Sequence, residues 1–405
     1  MFYGWRVVTG TFIAQLFVVG FFTYAASLFV APVREAFDAS LEQVMYSFTF
    51  ATLLGLFVTP LAGIALDRYP VRWLIAGAAV LFAAGLWGLS ISTSIWQYVI
   101  VFGLTMAVVN ALGGSMSASA VIARWFTASR GKALGIAAIG TSFGGIVLPR
   151  LLGDGITALG WRESLQYLAV VVILVMLPLV ILLVRGRPED VGLAPEEGAE
   201  APADAPVQQT LSTADILGHR GFWFMSLSLG LLFSAYSSVL ANLGPYALNL
   251  GHDQSAASML IIVVAICGLI GKLVFGAMAD KINLKLGLFI AQALVFIGLL
   301  LRALEPSYAI IVCGTISLGL AAGGMLPVWG ALTARIFGLL SFGRVMGMTG
   351  PIITLCILPG FAIVGRLYDT SGSYAQALQL FAGVMVVSAL LLAPLRLDHP
   401  PGSSD

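Results

Sequence analysis

Apolar runs of roughly twenty residues or more, separated by short polar breaks, fill this chain from end to end, the length that crosses a hydrocarbon core of ~30 Å as an α-helix. The pattern predicts helices over Trp5–Pro32, Gln43–Leu66, Trp73–Ser92, Trp96–Ala123, Gly131–Leu159 and Ser164–Val184. A second set follows over Phe222–Asn249, Ala256–Ala279, Leu284–Ala303, Ala309–Ile336, Val345–Leu367 and Ala375–Leu395. Several exceed the span requirement, which predicts tilted or protruding ends. The first run is too long for a signal-peptide core and has no small-residue cleavage site after it, so it is expected to be a retained first helix. Between the two sets of six, Arg185 to Arg220 holds Pro188, Pro195, Pro202 and Pro206 among Glu196, Glu197, Glu200 and Asp204, a stretch too polar to build a core. The expected organisation is a six-helix bundle over 1–184, a linker over 185–220, a second bundle over 221–396 and a tail over 397–405.

Composition agrees. The 405 residues are 59% hydrophobic and 10% charged, with a mean hydropathy of +1.00. Soluble domains carry about 25% charged residues, so most of this exterior must face lipid. A net charge of +1 gives no reason to expect a nucleic-acid partner. Cys267, Cys313 and Cys356 each sit alone in an apolar run and are read as small buried hydrophobes, and His219, His252 and His399 fall in polar connections or the tail. No metal site and no cofactor are expected.

Basic residues near helix ends set the orientation. With the N-terminus cytoplasmic, fourteen lysines and arginines fall inside and five outside, the five being Arg34, Arg150, Arg162, Arg302 and Arg366. Both termini and the linker are therefore expected in the cytoplasm, in a multi-pass protein of the cell inner membrane.

The polar break after the second helix reads Gly63-x-x-x-Asp67-Arg68-x-x-x-Arg72, and the break after the eighth reads Gly276-x-x-x-Asp280-Lys281-x-x-x-Lys285. Gly113-Gly114 with Arg124-Trp125-Phe126 likewise recurs as Gly323-Gly324 with Arg335-Ile336-Phe337. Echoes over so long a period mean a duplicated architecture. The glycine of each loop is expected to let two helices approach closely.

This repeated loop resembles the signature of the major facilitator superfamily. The resemblance implies an all-α membrane protein of twelve transmembrane helices, two pseudo-symmetric six-helix bundles around a central cavity that opens alternately to each side. It implies a secondary transporter and not an enzyme. It also implies that Asp67 and Asp280 latch the cytoplasmic face by meeting neighbouring helix N-termini and basic residues, among which Arg68, Arg72, Arg124, Arg130, Lys281, Lys285, Arg335 and Arg344 are expected to act with Gly63 and Gly276. A carboxylate at a helix N-terminus is worth only ~0.3–1 kcal/mol, which suits a latch that must open.

Trp125-Phe126-x-x-x-Arg130-x-x-Ala133-x-Gly135-x-Ala137-x-x-Gly140-x-x-x-Gly144 is similar to the fourth-to-fifth-helix signature of monocarboxylate porters. The opening Tyr3-Gly4-Trp5-Arg6 and Arg187-Pro188-Glu189-Asp190-Val191-Gly192-Leu193 resemble bacterial monocarboxylate and oxalate/formate exchangers. Gly140-x-x-x-Gly144 is read as helix packing, and Pro149 and Pro359 as bends in helices five and eleven.

Lys272 stands eight residues before Asp280, about 12 Å into the bilayer at ~1.5 Å per residue. A lysine there costs at least ~2.5–3.5 kcal/mol on insertion scales and should face protein or a water-filled cavity. The resemblance puts a substrate-carboxylate partner at the matching position, four residues before Gly276. The alternative is a lysine snorkelling to the interface. Asn242 stands where many relatives have histidine, and helix one has no mid-membrane acid or lysine. No second cation accompanies Thr354, Leu355 and Cys356 in helix eleven, so a monoanion is favoured over a dicarboxylate. Gln15, Tyr24, Asn110, Tyr236, Asn242 and Trp329 are polar groups in apolar helices, each fitted to an interhelical hydrogen bond or to a ligand. Arg150 and Arg366 read as interface anchors, with Arg150 also placed to draw anions.

The expected function is transport of small organic monoanions by alternating access, coupled by proton symport or by anion exchange. The partners are the anion, protons where symport operates, and the lipid bilayer, with the chain acting as a monomer. Export of drugs or other neutral or amphipathic solutes on the same fold is the nearest rival, and a membrane sensor that binds without translocating is the rival of another class.

Overall fold

The computed structural model describes residues 2–126, 129–193, 211–279, 283–304, 307–338 and 341–395, and no strand occurs among them. Twelve membrane-spanning helices are present among the described residues: α1 (Gly4–Thr23), α2 (Leu41–Arg68), α3 (Val71–Ser90), α4 (Ile95–Trp125), α5 (Gly131–Leu159), α6 (Trp161–Leu183), α7 (Arg220–Ala241), α8 (Gln254–Phe275), α9 (Leu284–Ala303), α10 (Tyr308–Phe337), α11 (Arg344–Ser371) and α12 (Ala375–Leu392). The chain forms two compact units, Met1–Ala203 with Ala241–Ile262, and Asp204–Leu240 with Val263–Asp405.

Helix starts follow local chemistry. Ser40 opens α2 with a capping box, its hydroxyl accepting from the Gln43 amide at 3.1 Å while Gln43 Oε1 accepts from the Ser40 amide at 2.9 Å. Ser94 caps α4 and Asn283 caps α9 in the simpler way. Between α5 and α6 the chain turns through Gly160 at φ +99°, a conformation that side chains resist.

Four interruptions depart from the predicted spans. The first helix does not run unbroken to Pro32; it tightens into a 3₁₀ segment at Ala25–Phe29 before resuming over Val30–Ala36. There the Ser27 hydroxyl donates to the Tyr24 carbonyl at 3.1 Å, and side-chain bonding of this kind competes with the helical ladder. Within α4 the backbone opens at Gly114, where a Cβ would lie 2.3 Å from the Asn110 carbonyl oxygen. A π-helical turn occupies Val172–Met176 in α6. After α7 the chain breaks at Asn242 before the short helix Leu243–Asn249, because Pro245 has no amide to continue the ladder. By contrast the helices run on through Pro60, Pro149, Pro351 and Pro359.

In the first unit α1 packs along α5, and α2 and α3 pack on α4. Glycines set the closest approach: a Cβ on Gly140 would stand 2.3 Å from the Phe12 carbonyl oxygen, and one on Gly144 2.2 Å from that of Leu16. Close backbone approach gives van der Waals contact where lipid leaves little hydrophobic drive between helices. The packing reading of this glycine pair holds. At Gly63, by contrast, a Cβ would meet nothing within 4 Å among the described residues.

In the second unit α9 packs on α10 and α12. Gln292 of α9 donates to Ser228 of α7 at 2.8 Å and to Ser388 of α12 at 2.7 Å, all three buried. Arg302, also buried, donates to the Gly298 carbonyl and to Thr315 Oγ1. Cys267 is buried against Gly319 and Cys356 half-buried against Gly230, whereas Cys313 is exposed on α10, which corrects its reading as a buried hydrophobe. A thiol is small and weakly polar enough to face lipid.

Two alanine substitutions test the glycine contact. Gly144→Ala should lower thermal stability in detergent by about 1–3 kcal/mol through overpacking against backbone. Gly135→Ala, with open space at its Cβ position, should be neutral or stabilising by up to about 1 kcal/mol. Equal responses of the two variants would contradict the packing account.

Candidate functional site

Lys272 is half-buried on α8, beside the point where α8 crosses α10. Glycines on both helices allow the crossing. A Cβ on Gly323 would stand 2.3 Å from the Lys272 amide nitrogen and 2.4 Å from the Gly268 carbonyl oxygen, and one on Gly271 would meet the Leu320 carbonyl oxygen at 2.4 Å. One residue on, Gly324 accepts the Phe275 ring, 2.7 Å from where its Cβ would be. The backbone at Lys272 is thus held against the main chain of α10, and its side chain leaves from a fixed base.

The same unit contains Tyr236, buried on α7, and Trp329, half-buried on α10. Trp329 meets Phe233 edge to face at 6.2 Å. Its indole Nε1 is buried and has no hydrogen-bond partner among the described residues. An indole N–H can only donate, so this atom is open to an acceptor that the described residues do not supply.

Gln15, Tyr24, Asn110 and Asn242 fall in the first unit. Gln15 Oε1 accepts from Ser115 of α4 at 3.0 Å and from Thr141 of α5 at 3.5 Å, tying three helices together. Asn110 donates to the Met106 carbonyl of its own helix at 2.9 Å. Asn242 donates to Met45 Sδ at 3.2 Å, and Tyr24 is buried at the end of α1. For Gln15 and Asn110 the interhelical or local hydrogen bond is what the geometry supplies. Arg150 pairs with Asp154 at 3.1 Å on an exposed turn of α5.

Of the loop residues, Asp67 pairs with Arg124 at 4.0 Å and is otherwise exposed, and Arg124 also donates to the Leu66 carbonyl at 2.9 Å. Arg124 is one of the basic residues expected to meet Asp67. Arg72 lies over the Trp73 ring at 4.8 Å, and Arg68 is exposed. Lys285 donates to the Ala393 carbonyl at 2.6 Å, at the end of α12. Arg344 donates to the Leu211 carbonyl, and Ser341 accepts from the Leu211 amide at 2.9 Å, so the end of the linker is fastened to the start of α11. Arg335 is exposed on α10. Asp280 and Lys281 lie outside the described residues, as do the Arg130 side chain and the surroundings of Gly276.

Two of the three sequence signatures that carried the monocarboxylate-porter resemblance meet, and they hold Arg185, two residues before the third begins. Trp125 is fully buried, stacks on Tyr3 at 5.4 Å and donates to the Arg185 carbonyl at 2.9 Å. Phe126 packs edge-on to Trp5 at 5.0 Å, and a Cβ on Gly4 would meet its ring at 2.8 Å. A clasp therefore joins the start of α1, the end of α4 and the exit of α6. Arg185 and Arg187 entered the sequence reading only as charges and as part of a signature; the aromatic pairs at both ends were the signal for this contact.

The Major Facilitator Superfamily family model matches residues 11–270 and 236–405. The chain belongs to the Major Facilitator Superfamily. As a member of that superfamily it is a multi-pass membrane transporter of a small-molecule substrate and not an enzyme. It is 28% identical to the agnestins efflux protein of Paecilomyces divaricatus, over 98% of this chain and 88% of that protein. It is 24% identical to monocarboxylate transporter 12 of Homo sapiens, over 98% of this chain and 81% of that protein. The crystal structure of a D-xylose-proton symporter shares the fold at a TM-score of 0.77 and 16% identity, covering 97% of this chain and 98% of that one.

The clasp gives a direct test. Trp125→Phe keeps the ring stack and loses one hydrogen bond, so it should cost about 0.5–1.5 kcal/mol. Trp125→Ala should cost about 3–5 kcal/mol. Thermal melting of the purified transporter measures both, and a mild alanine variant would remove the clasp as a stabilising element.

Proposed function

We propose that this superfamily member is a secondary active transporter of small organic monoanions, working by alternating access with Lys272 pairing the substrate carboxylate. The observation that carries the reading is a lysine in the body of a membrane-spanning helix, its backbone fixed by the Gly271–Gly323 crossing. An ammonium in that position attracts an anionic or strongly polar ligand. A carboxylate supplies one, through a charge-assisted hydrogen bond stronger than a neutral one. Trp329 Nε1 offers a further donor in the same unit. We assign Tyr236, in the same unit as Lys272, as a secondary substrate contact, and Gln15, Tyr24, Asn110 and Asn242 as supports of the first unit's shape.

The proposed arrangement is two six-helix bundles over 1–184 and 221–396, joined by a cytoplasmic linker, acting as a monomer in the cell inner membrane with both termini cytoplasmic. Asp67 and Asp280 serve as the cytoplasmic latch. Coupling is to protons or to a counter-anion.

The names of the relatives support two readings. Monocarboxylate transporter 12 fits the monoanion. The efflux proteins for agnestins and fujikurins favour the second, export of larger amphipathic solutes on the same fold.

Proteoliposome counterflow with radiolabelled monocarboxylates tests the proposal. Lys272→Gln should abolish counterflow while the protein stays folded, and Lys272→Arg should retain part of it. Normal flux in the glutamine variant would move the substrate site elsewhere. For the latch, Asp67→Asn should raise labelling of a cysteine placed in the substrate path from the cytoplasmic side, and unchanged labelling from both sides would remove its gating role.

A further inference from the structure

A cavity of about 440 Å³ lies within the first unit, where α2 ends, α3 begins, α4 ends and the chain leaves α6. All four are helix ends on one face of the membrane. Five arginines line it, Arg68, Arg72, Arg124, Arg185 and Arg187, against only Asp67 and Asp190.

The charges divide into committed and uncommitted groups. Arg124 is engaged by Asp67 and the Leu66 carbonyl. Arg185 donates to the Ile181 and Val184 carbonyls and so caps the end of α6. Asp190 Oδ2 accepts from the Arg187 amide at 3.0 Å. Arg68, Arg72 and Arg187 have no carboxylate within ion-pair distance among the described residues. Arg72, a lining residue stacked over the Trp73 ring, has its Nε buried without a hydrogen-bond partner among those residues. Guanidinium groups converging on a hollow with unmatched donors fit a phosphate, which offers several acceptor oxygens and at least one negative charge.

The rim decides the source of that phosphate. Tyr69 is 61% exposed and Trp73 57% exposed, both lining the cavity. Amphipathic aromatics of this kind sit at headgroup depth. Leading away from them along α2, Phe57, Leu61 and Ile64 form an exposed apolar surface suited to acyl chains. A soluble phosphate would have no use for that surface.

We propose that this cavity binds the phosphate headgroup of an anionic phospholipid, held by Arg72 and Arg187 with Arg68 at the mouth. Basic pockets at helix ends are a recurrent way of holding such headgroups. Because Asp67 and Arg124 form part of the same wall, the lipid sits against the loop assigned above to the latch. Lipid occupancy does not depend on which solute is carried.

The test is native mass spectrometry of the full-length protein in detergent with equimolar phosphatidylglycerol and phosphatidylcholine. The wild-type protein should retain phosphatidylglycerol preferentially. In the variant carrying both Arg72→Gln and Arg187→Gln the preference should fall by about 25-fold, each cation near a membrane surface being worth about fivefold. Arg366→Gln, an exposed arginine elsewhere, should leave it unchanged. Equal retention of the two lipids by the wild type overturns the proposal even if the double variant fails to fold. A double variant with a normal size-exclusion profile and unaltered preference overturns the placement. Displacement of phosphatidylglycerol by millimolar inorganic phosphate overturns the lipid as ligand in favour of a free anion.

Discussion

Backbone-to-backbone contact at glycine is the interaction on which the rest of this structure depends. In a bilayer the hydrophobic effect does not drive one apolar helix against another, since lipid tails are as apolar as leucine. Helices must gain from dispersion and from interhelical hydrogen bonds, and dispersion grows steeply as main chains approach. Gly140 and Gly144 bring α5 onto α1, and Gly271 and Gly323 bring α8 onto α10. The second contact matters twice, because it also fixes the base of Lys272. A site that pairs a half-buried ammonium with a substrate carboxylate needs a rigid support, and the crossing provides one for the Lys272 backbone.

Much of this was legible in the chain because the physics is local. Twelve spans follow from run length alone, and the packing role of Gly140 and Gly144 follows from their spacing. What escaped the sequence reading were positions where a helix is long enough to continue but does not. The break at Gly114 and the break at Asn242 depend respectively on an Asn110 carbonyl and on the missing amide of Pro245. Both residues are visible in the chain, but each sits in a run that reads by length and hydropathy as continuous apolar helix. The two glycine pairs illustrate the limit. Gly113-Gly114 and Gly323-Gly324 are repeats of one another, yet the first interrupts its helix and the second lies inside an unbroken one.

The candidate site was legible to a smaller extent. Polar residues in apolar helices can be found by inspection, but whether each is engaged cannot. Gln15 is occupied by Ser115 and Thr141, which come from helices about 100 and 126 residues away. Trp329 read as one of six candidate polar groups, and its buried indole nitrogen, unmatched among the described residues, is what the structure adds. At Gly63 a motif glycine suggested contact, and a Cβ there would meet nothing within 4 Å among the described residues. The monocarboxylate-porter signatures turned out to have a structural meaning of their own in the clasp of Trp125 with Tyr3 and the Arg185 carbonyl.

The central claim is that a single negative charge on the solute is what the site recognises, with Lys272 as its counterpart. The most direct measurement leaves the protein untouched and changes the solute: counterflow in proteoliposomes of a radiolabelled monocarboxylate identified by screening, compared with the neutral primary amide of the same carbon skeleton. The account predicts saturable flux of the carboxylate, and for the amide neither flux nor competition. Comparable flux of the amide would contradict it and would favour a carrier of neutral or amphipathic solutes.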